Sequence, residues 1–242
     1  MTKGSAAPSN AILFDLDDTL LFSDMENAFL NAYFGLLTEY AAPHFPSGKL
    51  IPALLAGTDA VQRMHDPTLT NEQVFAAAFA PLLGHPWPEL RALFTGFYEE
   101  RFSQLRVHTR PHPQARQVVV ACFDAGYRVA IATNPLFPAR AIQHRLSWAG
   151  LEDMPFDLVT SYENMHTCKP SPDYYLEIAS LMDLLPAACW MVGNDVARDI
   201  APAQWAGMRT FLADEWLVND DPGVQPDCRG RLVDLVPYLQ GL

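Results

Sequence analysis

The sequence predicts an α/β protein: a parallel β-sheet core with an all-helical block inserted after its first strand. Three observations lead there. From about residue 109 onward, short apolar runs alternate with helical stretches, the pattern of repeated β-α-β units and a parallel sheet. Between about residues 21 and 108, apolar side chains recur every three to four positions and no strand-like run interrupts them. The run Ala11-Ile12-Leu13-Phe14 stands alone ahead of that block and ends directly in Asp15-Leu16-Asp17-Asp18-Thr19-Leu20. The core is therefore assigned to residues 1–20 and 109–242, and the helical insert to residues 21–108.

Each element follows from local signals. Ser23 and Glu26 form a candidate capping box, with Met25, Phe29, Tyr33 and Leu37 at helical spacing behind it. A second helix is expected over residues 49–64, weakened at Gly57. Thr70 and Gln73 form a second capping box, opening a helix that stops near Gly84. Pro88 suits the first turn of a fourth helix, which runs to about residue 105. Pro111 and Pro113 stiffen the return to the core.

Then come a helix over 113–124 and a strand over 127–132, which ends at Thr133-Asn134-Pro135. A helix over 138–148 is followed by a strand over 156–160 and a helix over 172–182. Cys189-Trp190-Met191-Val192 reads as a strand that ends at Gly193, with a helix over 196–205 behind it. A last strand covers 209–212, and a C-terminal helix starts near residue 230.

Composition narrows the function classes. Half of the 242 residues are apolar and 18% are charged, which suits a folded soluble protein. The net charge of −12, without any Lys/Arg-rich run, argues against nucleic acid or an anionic membrane as a partner. No apolar run reaches the length of a membrane span, and residues 1–10 lack the apolar stretch of a secretory signal. Cys122, Cys168, Cys189 and Cys228 form no C-x-x-C pair and read as free thiols, so a cytoplasmic protein is expected.

In open parallel sheets, ligands bind at the carboxyl ends of the strands. The polar signals fall there. Strand one ends in Asp15 and Asp17, strand two in Thr133 and Asn134, and strand four in Asn194 and Asp195, with Asp199 four residues beyond Asp195. Lys169, followed by Pro170, lies in the loop after strand three. Each has a plain structural reading alone: a loop acid, a strand-end turn, a surface lysine, a first-turn acid favoured by the helix dipole. Together on one edge they supply a nucleophile, anchors and a cation for phosphoryl transfer.

With these motifs the chain resembles the haloacid dehalogenase superfamily of phosphohydrolases with a helical C1-type cap, over about residues 10–212. The resemblance implies a Rossmann-like core with strand order 5-4-1-2-3. It implies Mg²⁺-dependent hydrolysis of a phosphate monoester, with Asp15 as nucleophile and Asp17 as general acid and base. Thr133, Asn134 and Lys169 would hold the phosphoryl group. Asp15, Asp17 through its main-chain carbonyl, Asp195 and Asp199 would hold the metal. Many relatives carry an acid where this chain has Asn194. Either Asp195 takes that place or Asn194 does; the carboxylate is the stronger ligand and is the expected one.

The implied substrate is a small phosphorylated metabolite, and the implied state a monomer or homodimer. Arg63, His65 and Arg101 are the insert residues proposed for substrate contact, and the aromatic stretches there read as core. The rival readings are a phosphomutase, a haloacid dehalogenase, a phosphonate hydrolase and a catalytically silent binding protein. Asp17 argues against the dehalogenase and the phosphonate hydrolase. The full site set argues against silence.

Overall fold

Ala11–Phe14 is wholly buried, and as strand β1 it lies at the centre of the molecule. The computed structural model describes residues 10–24, 28–63 and 66–240. After β1 come β2 (Leu21–Phe22) and the helices α1 (Leu30–Ala41), α2 (Ser47–Arg63), α3 (Asn71–Leu83) and α4 (Trp87–Glu100). A 3-10 helix over Phe102–His108 leads to β3 (Arg110–Pro111), α5 (Ala115–Asp124), β4 (Arg128–Ile131) and α6 (Ala139–Trp148). The chain continues through β5 (Leu158–Val159), α7 (Pro172–Leu181), β6 (Cys189–Gly193), α8 (Ala201–Trp205) and β7 (Arg209–Ala213). It finishes with β8 (Cys228–Gly230) and α9 (Leu235–Gln240).

Six strands form one sheet in the order β5-β4-β1-β6-β7-β8. Every pair in it is parallel. Read from β7 to β5 this is the implied order 5-4-1-2-3, with β8 added at one edge. The central strands β1 and β6 are wholly buried, as helix-covered parallel strands are. Ile12, Phe14, Ile131 and Val192 pack on one side, and Leu13, Ala130 and Met191 on the other. Phe14 pairs with both Ile131 and Val192, so β1, β4 and β6 end at one level. That register brings Asp15, Thr133 and Asn194 to a single edge.

Several boundaries differ from the sequence expectation. The C-terminal helix begins at Leu235, and residues 228–230 instead add β8 beside β7. So short a strand has no periodicity of its own; its ladder with β7 defines it. The two links to the insert pair with each other as an antiparallel ribbon, Leu21 with Pro111 and Phe22 with Arg110. Pro111 is tolerated because a two-stranded ribbon leaves one side of each strand unpaired. The fourth insert helix stops at Glu100 and continues as 3-10 turns. Helix 196–205 opens with a π-turn over Val196–Ile200.

Thr70 and Gln73 form the expected capping box, and Gly84 ends α3 at a positive φ of 76°. The Ser23–Glu26 box lies partly outside the described residues. Gly57, a weak helix former, marks the α2–α3 crossing: a Cβ there would stand 2.6 Å from the Phe75 ring. The N-terminus of α3 docks on the core. Asn71 N–H donates to Met165 O at 2.8 Å and Glu72 N–H to Tyr162 O at 2.7 Å. The buried Asn71 side chain adds a bond to Thr167 O at 3.0 Å. Core carbonyls thus satisfy N–H groups that a helix start leaves open. Among the described residues no helix is long and apolar enough to cross a membrane.

Candidate active site

Asp15 is the first residue beyond β1 and is held there by its N–H to Val192 O at 2.9 Å. Lys169 reaches it from the loop ahead of α7. Its Nζ lies 2.6 Å from Asp15 Oδ1 and 2.6 Å from Asp199 Oδ1. All three are buried. Burial opposes the lysine's charge, but Asp15 and Asp199 outweigh it and hold the ammonium well above its ordinary range. Burial likewise pushes the Asp199 carboxyl up, against the pull of Lys169. One ammonium thus touches two buried acids, and balancing both as carboxylates would take a further positive group.

Asp199 also accepts the Asp195 N–H through Oδ2, at 3.1 Å. Gly193 makes room for that carboxylate, since a Cβ at 193 would meet Asp199 Cγ at 2.5 Å. Gly193→Ala is expected to displace Asp199, loosen Lys169 and cost about 1–3 kcal/mol by overpacking. Denaturant unfolding of the variant measures this, and unchanged stability would count against the close fit.

Asp17 reads differently from Asp15. One of its oxygens pairs with Arg145 Nη1, while Oδ1 is buried without a hydrogen-bond partner. Burial, only partly offset by Arg145, raises its pKa to about 6. A carboxyl that both gives and takes a proton near neutrality needs that balance. Asp18 turns the loop with a positive φ of 60° and accepts the Ser23 N–H at 2.9 Å. It caps the loop, a task that suits an aspartate at positive φ.

Thr133 and Asn134 line the same cavity as Asp15. The Thr133 carbonyl is fixed by Thr160 Oγ1 and Tyr174 OH, both at 2.8 Å. Asn134 Oδ1 accepts the Lys169 N–H at 3.2 Å.

The two residues after Gly193 divide their tasks. Asn194 donates to Trp216 O at 2.7 Å, which turns its Oδ1 toward Thr19 Oγ1 at 3.1 Å. The same Thr19 hydroxyl lies 3.2 Å from Asp15 Oδ2. Asp195 spends Oδ1 on the N–H groups of Ala197 and Arg198 and Oδ2 on Asn219 Nδ2. It caps the helical turn that carries Asp199. Asp15 and Asn194 therefore present hard oxygen donors side by side, the donor chemistry that Mg²⁺ prefers. Among the described residues no cluster of three His, Cys, Asp or Glu side chains could hold a metal, so such a set depends on the Asn194 amide or main-chain oxygens.

Of the insert residues proposed for substrate contact, Arg63 is exposed and pairs with Asp59 at 2.7 Å. Arg101 faces Glu39 at 3.7 Å. Neither lines the cavity. His65 lies outside the described residues.

A family model for haloacid dehalogenase-like hydrolases matches residues 10–207. The chain belongs to that family. A phosphoserine phosphatase from Thermus thermophilus is 27% identical over 245 residues, covering 90% of this chain and 94% of the relative. Among solved structures, a HAD phosphatase from Thermococcus onnurineus aligns with a TM-score of 0.59 at 18% identity. That alignment covers 96% of this chain and 98% of the other. The L-2-haloacid dehalogenase from Xanthobacter autotrophicus aligns with a TM-score of 0.57 at 18% identity, covering 96% and 99%. These likenesses show the hydrolase fold, shared by phosphatases and dehalogenases alike.

Sequence reasoning about this hydrolase missed Arg145. It is 1% exposed, pairs with Asp17 and lies over the Phe137 ring at 4.9 Å. A signal existed: Arg145 falls in the apolar stripe of α6, between Ile142 and Leu146, where a charge needs a partner. Thr19, in the same loop as Asp17, places its hydroxyl between Asp15 and Asn194.

Proposed function

We propose that the protein hydrolyses a phosphate monoester of a small metabolite through an aspartyl-phosphate on Asp15, with Mg²⁺ as cofactor. The observation that carries this reading is a second acid two residues after Asp15: Asp17, half-buried, paired with Arg145 and with its buried Oδ1 unpartnered. Attack of an Asp15 oxygen on phosphorus breaks the ester P–O bond, and Asp17 gives its proton to the departing alkoxide. Asp17, now a carboxylate, takes a proton from water as that water attacks phosphorus. The Asp15–phosphoryl bond breaks and inorganic phosphate leaves.

Lys169 balances charge on Asp15 and the moving phosphoryl group, while Thr133 and Asn134 hold its oxygens. Arg145 acts through Asp17 and is a positioning residue. Asp199 acts through Lys169, which its Oδ1 anchors. Asp15, Asn194 and the Asp17 main-chain carbonyl would hold Mg²⁺; we prefer Asn194 to Asp195 because Asp195 Oδ1 caps two N–H groups and its Oδ2 takes Asn219, whereas Asn194 Oδ1 meets one hydroxyl that it shares with Asp15. When bound, Mg²⁺ supplies the positive charge that lets a phosphate dianion approach several carboxylates. The helical insert serves as a cap that excludes bulk water.

Dehalogenation at carbon releases no alkoxide and would leave Asp17 without a task. The test is phosphate release from p-nitrophenyl phosphate and a panel of phosphorylated metabolites with Mg²⁺. Asp17→Asn should slow turnover by about 10²–10⁴-fold on alkyl esters, the usual worth of a general acid and base. Inactivity across the panel, or turnover of 2-haloacids in chelator, defeats the reading. A phosphomutase would transfer phosphate without releasing it.

A further inference from the structure

We propose that the leaving group of this hydrolase is apolar and bulky, such as an aromatic or long-chain alcohol; this rests on the phosphate-ester reading above. A single cavity of about 700 Å³ joins the acidic strand ends to the underside of the helical insert. That volume is in the range of drug-sized ligands. Its two ends differ in chemistry. The strand-end floor carries Asp15, Thr133, Asn134 and Lys169. The roof is built from Phe34, Leu37, Leu54, Leu55, Phe79 and Phe94.

Among the described residues, none of the charged side chains lining the cavity lies on α1–α4. The roof's polar groups are few and mostly engaged. The hydroxyls of Tyr33 and Tyr98 lie 3.0 Å apart and bond each other. Trp87 Nε1 donates to Glu72 at 3.3 Å. The Thr58 hydroxyl donates to Leu54 O at 3.0 Å, which leaves the neutral side chain of Gln62.

The cations that line the cavity belong to the floor and already have acids beside them. Lys169 serves Asp15 and Asp199, and Arg145 pairs with Asp17 through Nη1, while its Nε and Nη2 are buried without a hydrogen-bond partner. Arg198 is half-exposed and lies 3.9 Å from Asp195. A leaving group with its own carboxylate or ammonium would have to shed water under an apolar roof that offers it no counter-charge. An apolar one would gain from the same burial. Phosphate on the floor and hydrocarbon under the roof is the arrangement in which both ends are matched.

The test compares kcat/KM with Mg²⁺ for four esters that all release a primary alkoxide: 2-phenylethyl phosphate, hexyl phosphate, ethyl phosphate and O-phosphoserine. Equal leaving-group type keeps intrinsic reactivity from masking binding. 2-Phenylethyl phosphate is expected to exceed O-phosphoserine and ethyl phosphate by on the order of 30-fold or more, the worth of burying one aromatic ring. Turnover that favours O-phosphoserine or ethyl phosphate overturns this proposal and leaves the hydrolase reading standing. Failure on all four and on p-nitrophenyl phosphate overturns both. Leu55→Arg places a cation in the roof at a residue already 52% exposed, so folding is spared. It should cut the preference for 2-phenylethyl phosphate over O-phosphoserine at least tenfold, on the order of 1.4 kcal/mol. An unchanged preference counts against the roof as the leaving-group site.

Discussion

Asp15→Asn is expected to lower turnover of any substrate ester by about 10⁴-fold or more, the scale seen when a covalent nucleophile is removed. Asparagine keeps the shape of the side chain, so the loss is chemical. Its amide oxygen is a poor nucleophile and cannot form the acyl phosphate. The fold should persist, because Asp199 still pairs with Lys169 at 2.6 Å. Steady-state kinetics on freshly purified variant, alongside circular dichroism to verify folding, measure the outcome. Activity within tenfold of wild type would remove Asp15 from the chemistry.

Lys169→Met should damage both stability and activity. Asp15 and Asp199 would then face each other, buried, without the ammonium that now touches both. Removing one partner of a buried ion pair costs about 3–5 kcal/mol. Unfolding in denaturant and chelator reads this loss without help from a bound cation. A second change, Asp199→Asn, removes one of the stranded charges. The double variant should regain much of the stability while remaining at least about 10²-fold less active, since the phosphoryl group has lost its cation. A stability loss below about 1 kcal/mol for Lys169→Met would mean that the pair is less buried than its 3% and 10% side-chain exposures imply.

Much of this arrangement was legible because strand ends announce themselves. Ala11–Phe14 switches from apolar to acidic within one residue, and 189–193 does the same at Gly193-Asn194-Asp195. Capping boxes were equally readable where the partners are three residues apart, as Thr70 and Gln73 are. The expectation for the insert's charged residues went elsewhere. Arg63 finds its acid one turn away on the same helix, so its charge is settled locally and outside the cavity.

The unreadable parts share a cause: their partners are distant in the chain. Arg145 meets Asp17 across 128 positions, and only the tertiary packing of α6 brings them together. The strand β8 exists because β7 offers it a ladder. The β2–β3 ribbon closes the insert by pairing residues nearly ninety positions apart. That Asp195 caps the turn carrying Asp199 could not be read from ligand strength, because the cap is a three-dimensional fact.

The sequence by itself determined the parallel α/β core, the helical insertion after strand one, and the set of polar residues at strand ends. Periodicity and local punctuation carry that information over a few residues at a time. The tertiary structure decided which oxygens are engaged and which remain open, that Asp17 is held by a buried arginine, and that the insert presents hydrocarbon to the acidic edge. Those outcomes depend on which surfaces meet, and contact between distant segments is written in no single stretch of the chain.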